Sequence, residues 1–193
     1  RFWAYALTAA FATGSFFAFL GGGPYVATEI LKLSPSEYGF YFMLISVGYM
    51  SGNFLSGRFG ARIGLGPMML AGNIVTFVGM IVSLVLFGLG YVHPLSLFGP
   101  ATMVGLGNGI TLPSANAGIV SVRPRLAGSA SGLGGSMQIG GGAALAVVAG
   151  ALLSPESGAM PLLWVMTLSA VAAIFATLYG MWVDRVAGPL GGA

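Results

Sequence analysis

The side chains of this sequence that could do chemistry are uncharged and lie in apolar surroundings. Four amides are the candidates for a binding role: Asn53, Asn108, Asn116 and Gln138. An amide inside an apolar helix needs a protein partner, water or a ligand, so these groups could orient a bound molecule. A structural interpretation is equally open. Near Pro113 the amides could instead bond backbone carbonyls that a bent helix leaves free.

Aromatic side chains accompany these amides at helical spacing. At 100° per residue, one sector of a second helix contains Tyr38, Phe42, Ser46, Tyr49 and Asn53, with Tyr41 close by. A similar sector of a first helix contains Tyr5, Thr8, Ala12, Phe16 and Phe19. Polar groups facing lipid would waste their hydrogen bonds, so we expect both stripes to face the interior and to line a cavity. The alternative is ordinary core packing with interfacial Tyr and Trp anchors.

The run GLGGSMQIGGG at residues 132–142 could be a phosphate cradle or a helix surface. A dinucleotide fingerprint would need a third glycine where Met137 stands, and a P-loop would need a lysine that is absent from this run. Small residues four positions apart instead favour close helix packing in a membrane. We therefore predict a smooth packing surface that can shift, formed by Gly132, Gly135, Gly140 and Gly141.

Enzymatic and metal chemistry find little support in the sequence. The single histidine, His93, belongs to a loop at the end of the molecule opposite GSASG at residues 128–132. About 30 Å of hydrocarbon would separate this base from a serine nucleophile. Cysteine is absent, and no cluster of metal ligands is visible. We expect no enzyme activity, no metal and no cofactor.

The composition is that of an integral membrane protein. Hydrophobic residues make up 56% of the 193 residues and charged residues 6%. The charges occur in short islands, and the gaps between them hold apolar stretches long enough for six transmembrane helices. The predicted spans are residues 3–27, 38–57, 66–89, 96–120, 127–153 and 160–183. We expect a single all-α six-helix bundle over residues 1–193, as a segment of a longer chain.

The loops predict how the bundle is oriented. Six spans place both termini and the second and fourth loops on one side. That side carries six of the seven cations, namely Arg1, Arg58, Arg62, Arg123, Arg125 and Arg185. The positive-inside rule then places both termini in the cytoplasm. No basic cluster is interleaved with aromatic residues on a polar face, so nucleic acid is not expected as a partner.

Two helices carry interruptions at corresponding places. The first contains GGGPY at residues 21–25, and the fourth contains GLGNGITLPSANAG at residues 105–118. Paired Gly or Pro interruptions indicate the binding site of a secondary transporter. Because the pair joins helices one and four, it predicts two inverted three-helix repeats.

The loop NFLSGRFGARIG at residues 53–64 resembles the signature Gly-x-x-x-Asp-Arg-x-Gly-Arg-Arg of the major facilitator superfamily. Arg58, Gly60 and Arg62 match, whereas Asn53 replaces the first Gly and Gly57 replaces the Asp. Longer stretches, among them ISVGYMSGNFLSGRFGARIG and LAGSASGLGGSMQIGGGAA, resemble the C-terminal half of Bcr/CflA-type drug:proton antiporters. The resemblance covers about residues 2–185.

This resemblance implies helices seven to twelve of a bacterial inner-membrane transporter that exports amphipathic drugs by alternating access. Its partners would be a drug-like substrate, the lipid bilayer, an N-terminal six-helix half, and protons taken up by a carboxylate in that other half. Aromatic surface would come from Phe16, Tyr38, Tyr41 and Tyr49, and the four amides would orient the drug. A transporter of a sugar or other metabolite on the same fold, and a membrane scaffold that carries nothing, remain alternatives.

Overall fold

The computed structural model describes residues 1–187, and these residues contain six long helices. The helices are α1 (Phe2–Tyr25), α2 (Pro35–Ile63), α3 (Leu65–Gly88), α4 (Pro94–Ser121), α5 (Ala127–Leu152) and α6 (Met160–Ala187). A π-helical turn, Val26–Ile30, extends α1, and a short 3-10 turn, Pro124–Leu126, precedes α5. The predicted all-α fold is confirmed. The single bundle over residues 1–193 stays a prediction, because residues 188–193 lie outside the described part.

Local sequence explains where the helices begin. Ser34 and Glu37 form a reciprocal capping box at the start of α2, with Pro35 in the first helical position. The exposed carboxylate of Glu37 accepts hydrogen bonds from the side chain and from the backbone N–H of Ser34. These bonds lower the pKa of Glu37, the side-chain bond more than the backbone bond. At the start of α4, His93 accepts a hydrogen bond from the backbone N–H of Leu95.

The predicted loop after the second helix is helical instead. Arg58, Gly60 and Arg62 lie in the last turns of α2, which ends at Ile63. The tight turn consists of Gly64 alone, whose φ of 91° favours glycine. The prediction of a loop was wrong because the chain reverses within one residue. The cationic Arg62 is then well placed to interact with the negative end of the helix dipole.

The six helices pack as two interlocked sets of three. Helix α1 packs against α5 and α6, and α4 packs in the same way against α2 and α3. The central pairs α1–α4 and α3–α6 close the bundle. If α1–α3 and α4–α6 are taken as the two repeats, the first helix of each repeat packs against the second and third helices of the other. This exchange is expected for two inverted repeats. We call the end where α1, α3 and α5 begin the arginine end.

Glycines bring α2 and α4 into close contact. A β-carbon at Gly52 would overlap the carbonyl of Leu106 and lie 2.9 Å from Gly109 Cα. Gly48 and Gly105 are equally tight against the backbone of the facing helix. Missing side chains therefore let the two backbones touch, which is how helices associate where lipid provides no hydrophobic drive.

The small residues predicted to pack on α5 have a different environment. A β-carbon at Gly132, Gly135 or Gly140 would meet nothing within 4 Å, and one at Gly141 would lie at an ordinary 3.6 Å from Ala10. They pack closely against no helix of this bundle, because they lie on or near the uncovered face of α5, so their predicted role as a packing surface stays a prediction. The tight glycines of that helix are Gly134, against Ile119, and Gly142, against Phe17.

The prolines in the two predicted interruptions leave the chain helical. After Pro24 the chain continues as the π-helical turn, with the backbone N–H of Leu31 bonded to Val26. Helix α4 runs without a break through Pro100 and Pro113. Pro100 has no N–H for the carbonyl of Ser96, and the hydroxyl of Ser83 on α3 donates to that carbonyl at 2.8 Å.

A buried polar chain joins four helices. The hydroxyls of Thr8 on α1 and Thr177 on α6 are 3.2 Å apart, and Asn73 Nδ2 on α3 donates to Thr177 at 2.9 Å. Thr111 on α4 donates to Asn73 Oδ1 at 3.4 Å. Nearer the arginine end, Tyr5 donates to the carboxylate of Asp184 at 2.6 Å. These bonds hold the helices together where lipid provides no hydrophobic drive.

Four segments are long and apolar enough to cross a membrane by length and composition alone. They are Phe2–Ile30, Leu65–Gly88, Pro124–Leu152 and Met160–Val186. Helices α2 and α4 have the length but are more polar, since the middle of α2 contains Tyr, Ser, Gly and Asn residues and α4 contains two asparagines. The two more polar helices pack against each other.

Candidate functional site

A half-open cavity of about 260 Å³ lies between α1, α2 and α4. It is lined by Thr13, Phe16, Ile45, Ser46, Tyr49, Met50, Gly105, Asn108 and Leu112. None of these nine side chains is charged, and most of the lining is apolar. A pocket of this kind, mostly apolar with a few polar groups, is typical of sites for small organic molecules.

Three predicted site residues meet at this cavity: Phe16 from α1, Tyr49 from α2 and Asn108 from α4. Asn108 is 3% exposed, whereas Tyr49 is 43% exposed. The predicted stripe of α2 is therefore only partly in the interior: its Tyr38 and Phe42 pack against the core, whereas Ser46 and Tyr49 are exposed and line the cavity. Ile45, Gly48, Gly52 and Ser56 form the buried face of α2, and the stripe runs beside that face onto the open side. Sequence periodicity identified the stripe and its place beside a cavity, but it did not identify the small residues that form the contact with α4.

Two predicted site residues, Tyr38 and Tyr41, belong to an aromatic cluster outside the cavity lining. Both rings pack on the buried Phe98, at centroid distances of 5.8 Å and 5.2 Å. Phe42 and Phe19 complete the cluster, and Phe16 contacts Phe42 at 6.3 Å. The cluster thus lies beside the cavity on the side away from the arginine end, and Phe16 connects the two.

The other three amides lie nearer the arginine end. Gln138 on α5 donates to Asn116 on α4 at 2.9 Å, and this pair lines a separate pocket. Asn116 is two turns beyond Asn108, roughly 12 Å along α4. Asn53 donates to the backbone carbonyl of Tyr49, one turn earlier in α2, at 2.9 Å. The predicted amides are therefore divided among three places.

Sequence reasoning missed Thr13, which lies on the cavity wall and is 9% exposed. A usable signal existed, because Thr13 precedes Phe16 by three residues and so shares its face of α1. Ile45, Met50 and Leu112 are ordinary apolar residues by sequence, and nothing local marks them as cavity residues. Among residues 1–187, no group of three or more His, Asp or Glu side chains is placed to hold a metal ion.

Comparison of the sequence with known proteins identifies its family. The model of the Major Facilitator Superfamily matches residues 5–190. An uncharacterized MFS-type transporter, YdgK of Bacillus subtilis, is 29% identical over 192 residues, which cover 96% of this chain and 45% of the relative. The bicyclomycin resistance protein homolog of Haemophilus influenzae is 28% identical over 174 residues, which cover 89% and 42%.

The chain thus spans less than half the length of the curated relatives it matches. No solved structure matches the chain at a significant level. The family match covers nearly all of the sequence and agrees with an all-helical bundle of two inverted repeats. This chain belongs to the Major Facilitator Superfamily, whose members are transporters.

Proposed function

We propose that this chain is the C-terminal half of a proton-coupled multidrug efflux transporter of the Bcr/CflA type. The observation that carries the proposal is the apolar cavity between α1, α2 and α4, with Phe16 and Tyr49 on its wall and a buried amide, Asn108. Such a lining suits small amphipathic molecules better than sugars, which need many hydrogen bonds. A relative named for bicyclomycin resistance supports the same substrate class.

The exposed faces support a partner half. Helix α2 exposes large apolar side chains that include Met50 and Phe54, and α5 exposes Ile139 and Val147. Exposed apolar side chains are expected in lipid as well as at a helix contact. The share of the relatives' length that the chain covers favours a contact with a second six-helix half. The uncovered Gly132, Gly135 and Gly140 would give that half a smooth surface on which to shift during alternating access.

The proposed topology has both termini in the cytoplasm of a bacterial inner membrane. Its support is the set of six arginines at the arginine end, according to the positive-inside rule. No carboxylate lines the cavity, so we propose that the coupling carboxylate lies in the other half. Asn116, Gln138 and Asn53 would then contact substrate along its path rather than in the cavity.

The proposal is tested by filling the cavity in the full-length transporter. Ser46 lies on the cavity wall, and Ser46→Phe should occupy the space that the substrate needs. Ser51→Phe is the matched control, because Ser51 lies about 140° further round the same helix. Expressed in a drug-hypersensitive bacterium, the parent and Ser51→Phe should confer resistance to bicyclomycin and export amphipathic dyes, and Ser46→Phe should not.

Two results would count against the proposal. Equal resistance from Ser46→Phe and the parent would remove the cavity from the transport path. A parent that confers no resistance to any amphipathic compound, yet takes up or exports a labelled sugar, would favour the metabolite transporter. Collapse of the proton gradient with an ionophore should abolish export, and export that survives the ionophore would contradict proton coupling.

A further inference from the structure

Two residues that line the cavity each have a buried polar atom with no hydrogen-bond partner within residues 1–187. The two atoms are the hydroxyl oxygen of Thr13 on α1 and the amide oxygen of Asn108 on α4. Both side chains are more than nine-tenths buried, at 9% and 3% exposed. Buried polar groups are nearly always bonded, and an exception calls for an explanation such as a ligand.

Other buried polar groups of the bundle show how such groups are usually satisfied. Thr167 and Thr177 satisfy their hydroxyls within α6, with Leu163 O at 2.7 Å and Ala173 O at 2.8 Å. The hydroxyl of Thr76 on α3 also lacks a partner, but Thr76 does not line the cavity. The buried amide of Asn73 bonds to threonines on two other helices. The hydroxyl of Thr13 makes no such bond to its own helix. Thr13 and Asn108 are therefore free to bond an occupant of the cavity.

The chemistry of the wall limits what that occupant can be. The amide oxygen of Asn108 is an acceptor, and the hydroxyl of Thr13 can donate or accept. None of the nine lining residues is charged, so a cation would find no counter-ion there. The volume of about 260 Å³ is below the range typical of drug-sized pockets, so it suits one ring-sized portion of a molecule.

We propose that Thr13 and Asn108 form the polar recognition point of the cavity and select neutral, ring-sized apolar groups that carry a hydrogen-bond donor, a hydroxyl or an N–H. This inference rests on the proposed transport function and specifies its substrate class. The donor bonds to Asn108 Oδ1, and the ring lies between Phe16 and Tyr49. A ligand without a donor leaves the buried amide oxygen unsatisfied and binds more weakly.

The test compares two probes that differ in one donor, 1-naphthol and its methyl ether 1-methoxynaphthalene. Binding of each to the purified full-length transporter is measured by calorimetry in detergent. We expect 1-naphthol to bind about tenfold more tightly than the ether, the effect of one neutral hydrogen bond. An affinity ratio near one in the parent protein overturns the inference without any need for a variant.

Near-isosteric variants then assign the effect to residues. Asn108→Leu and Thr13→Val should each reduce the ratio towards one and weaken 1-naphthol more than the ether. Thr167→Val is the matched control, because its hydroxyl is satisfied within α6, and it should keep the parent ratio. A ratio that survives both cavity variants also overturns the inference.

Export of bicyclomycin by the same proteins separates this inference from the proposed function. Selective binding of 1-naphthol without drug export would contradict the efflux proposal and leave the recognition point standing. Drug export with an affinity ratio near one would contradict the recognition point and leave efflux standing.

Discussion

Replacing Gly52 by alanine should separate α2 from α4. The added β-carbon would lie 2.9 Å from Gly109 Cα and would overlap the carbonyl of Leu106. A comfortable contact between carbon atoms is about 3.5–4.0 Å, so α2 has to move by roughly 1 Å. Because backbone atoms form the obstacle, no side-chain rotation can relieve it. The tight contacts at Gly48 and Gly105 on the same interface would open together.

The magnitude follows from two opposing effects. Overpacking a well-packed contact costs about 1–3 kcal/mol. Alanine also favours the helix over glycine by up to about 1 kcal/mol. Gly52→Ala should therefore lower the free energy of unfolding by up to about 2 kcal/mol and be about 1–3 kcal/mol less stable than Gly57→Ala, which has the helix gain alone. A β-carbon added at Gly57, on the same helix, would meet nothing within 4 Å, so Gly57→Ala should be neutral or stabilising.

The assay is reversible unfolding of the purified chain in mixed detergent micelles, followed by the fluorescence of its tryptophans. Gly132→Ala extends the comparison to α5, where it should behave like Gly57→Ala. If Gly52→Ala proves as stable as Gly57→Ala, the close contact between α2 and α4 does not hold the bundle together. If Gly132→Ala is strongly destabilising, the face of α5 that carries Gly132 is covered within this bundle and is not open as the structure has it.

Two further predictions concern polar contacts. Asn73→Leu removes buried bonds from α3 to α4 and α6, each worth about 0.6 kcal/mol in membrane proteins, so unfolding in micelles should become easier by about 1–2 kcal/mol; an unchanged midpoint would refute this. Ser34→Ala removes the side-chain bond that keeps the pKa of Glu37 below its ordinary value, so a carbon-13 NMR titration should show that pKa rising. Since the folded pKa is the lower one, the capping box stabilises the start of α2 above the unfolded pKa and loses this effect as the pH falls through the folded pKa. If the pKa of Glu37 is the same in Ser34→Ala as in the parent, the predicted effect of the Ser34 hydroxyl is wrong.

The helices and most of their ends could be predicted from the sequence because the causes of helix formation and capping are local. The capping box at Ser34, the proline at residue 35 and the apolar stretches between charges act within a few residues. The misjudged end of α2 shows the limit of this reasoning. Whether Arg58 and Arg62 continue a helix or form a loop depends on where the chain can reverse, and Gly64 alone makes that turn.

The types of residue in the candidate site could be predicted from the sequence, but which individual residues line the cavity could be predicted only in part. Asn108 and Asn116 are both asparagines in one apolar helix, two turns apart, and nothing local distinguishes them. The structure buries Asn108 on the cavity wall and pairs Asn116 with Gln138. Thr13 was missed because a single threonine in a membrane helix is ordinary until its neighbours leave its hydroxyl without a partner.

The sequence by itself determined that residues 1–187 form six long helices with the composition of a membrane protein, roughly where each helix lies, and which end of the bundle carries the arginines. Only the tertiary structure decided which of the many glycines touch another helix and which polar groups are left facing a cavity. The spacing that brings Gly52 against Gly109 occurs equally around Gly132, on an uncovered face. Periodicity defines the faces of one helix, but whether a face is covered depends on where the other five helices pack.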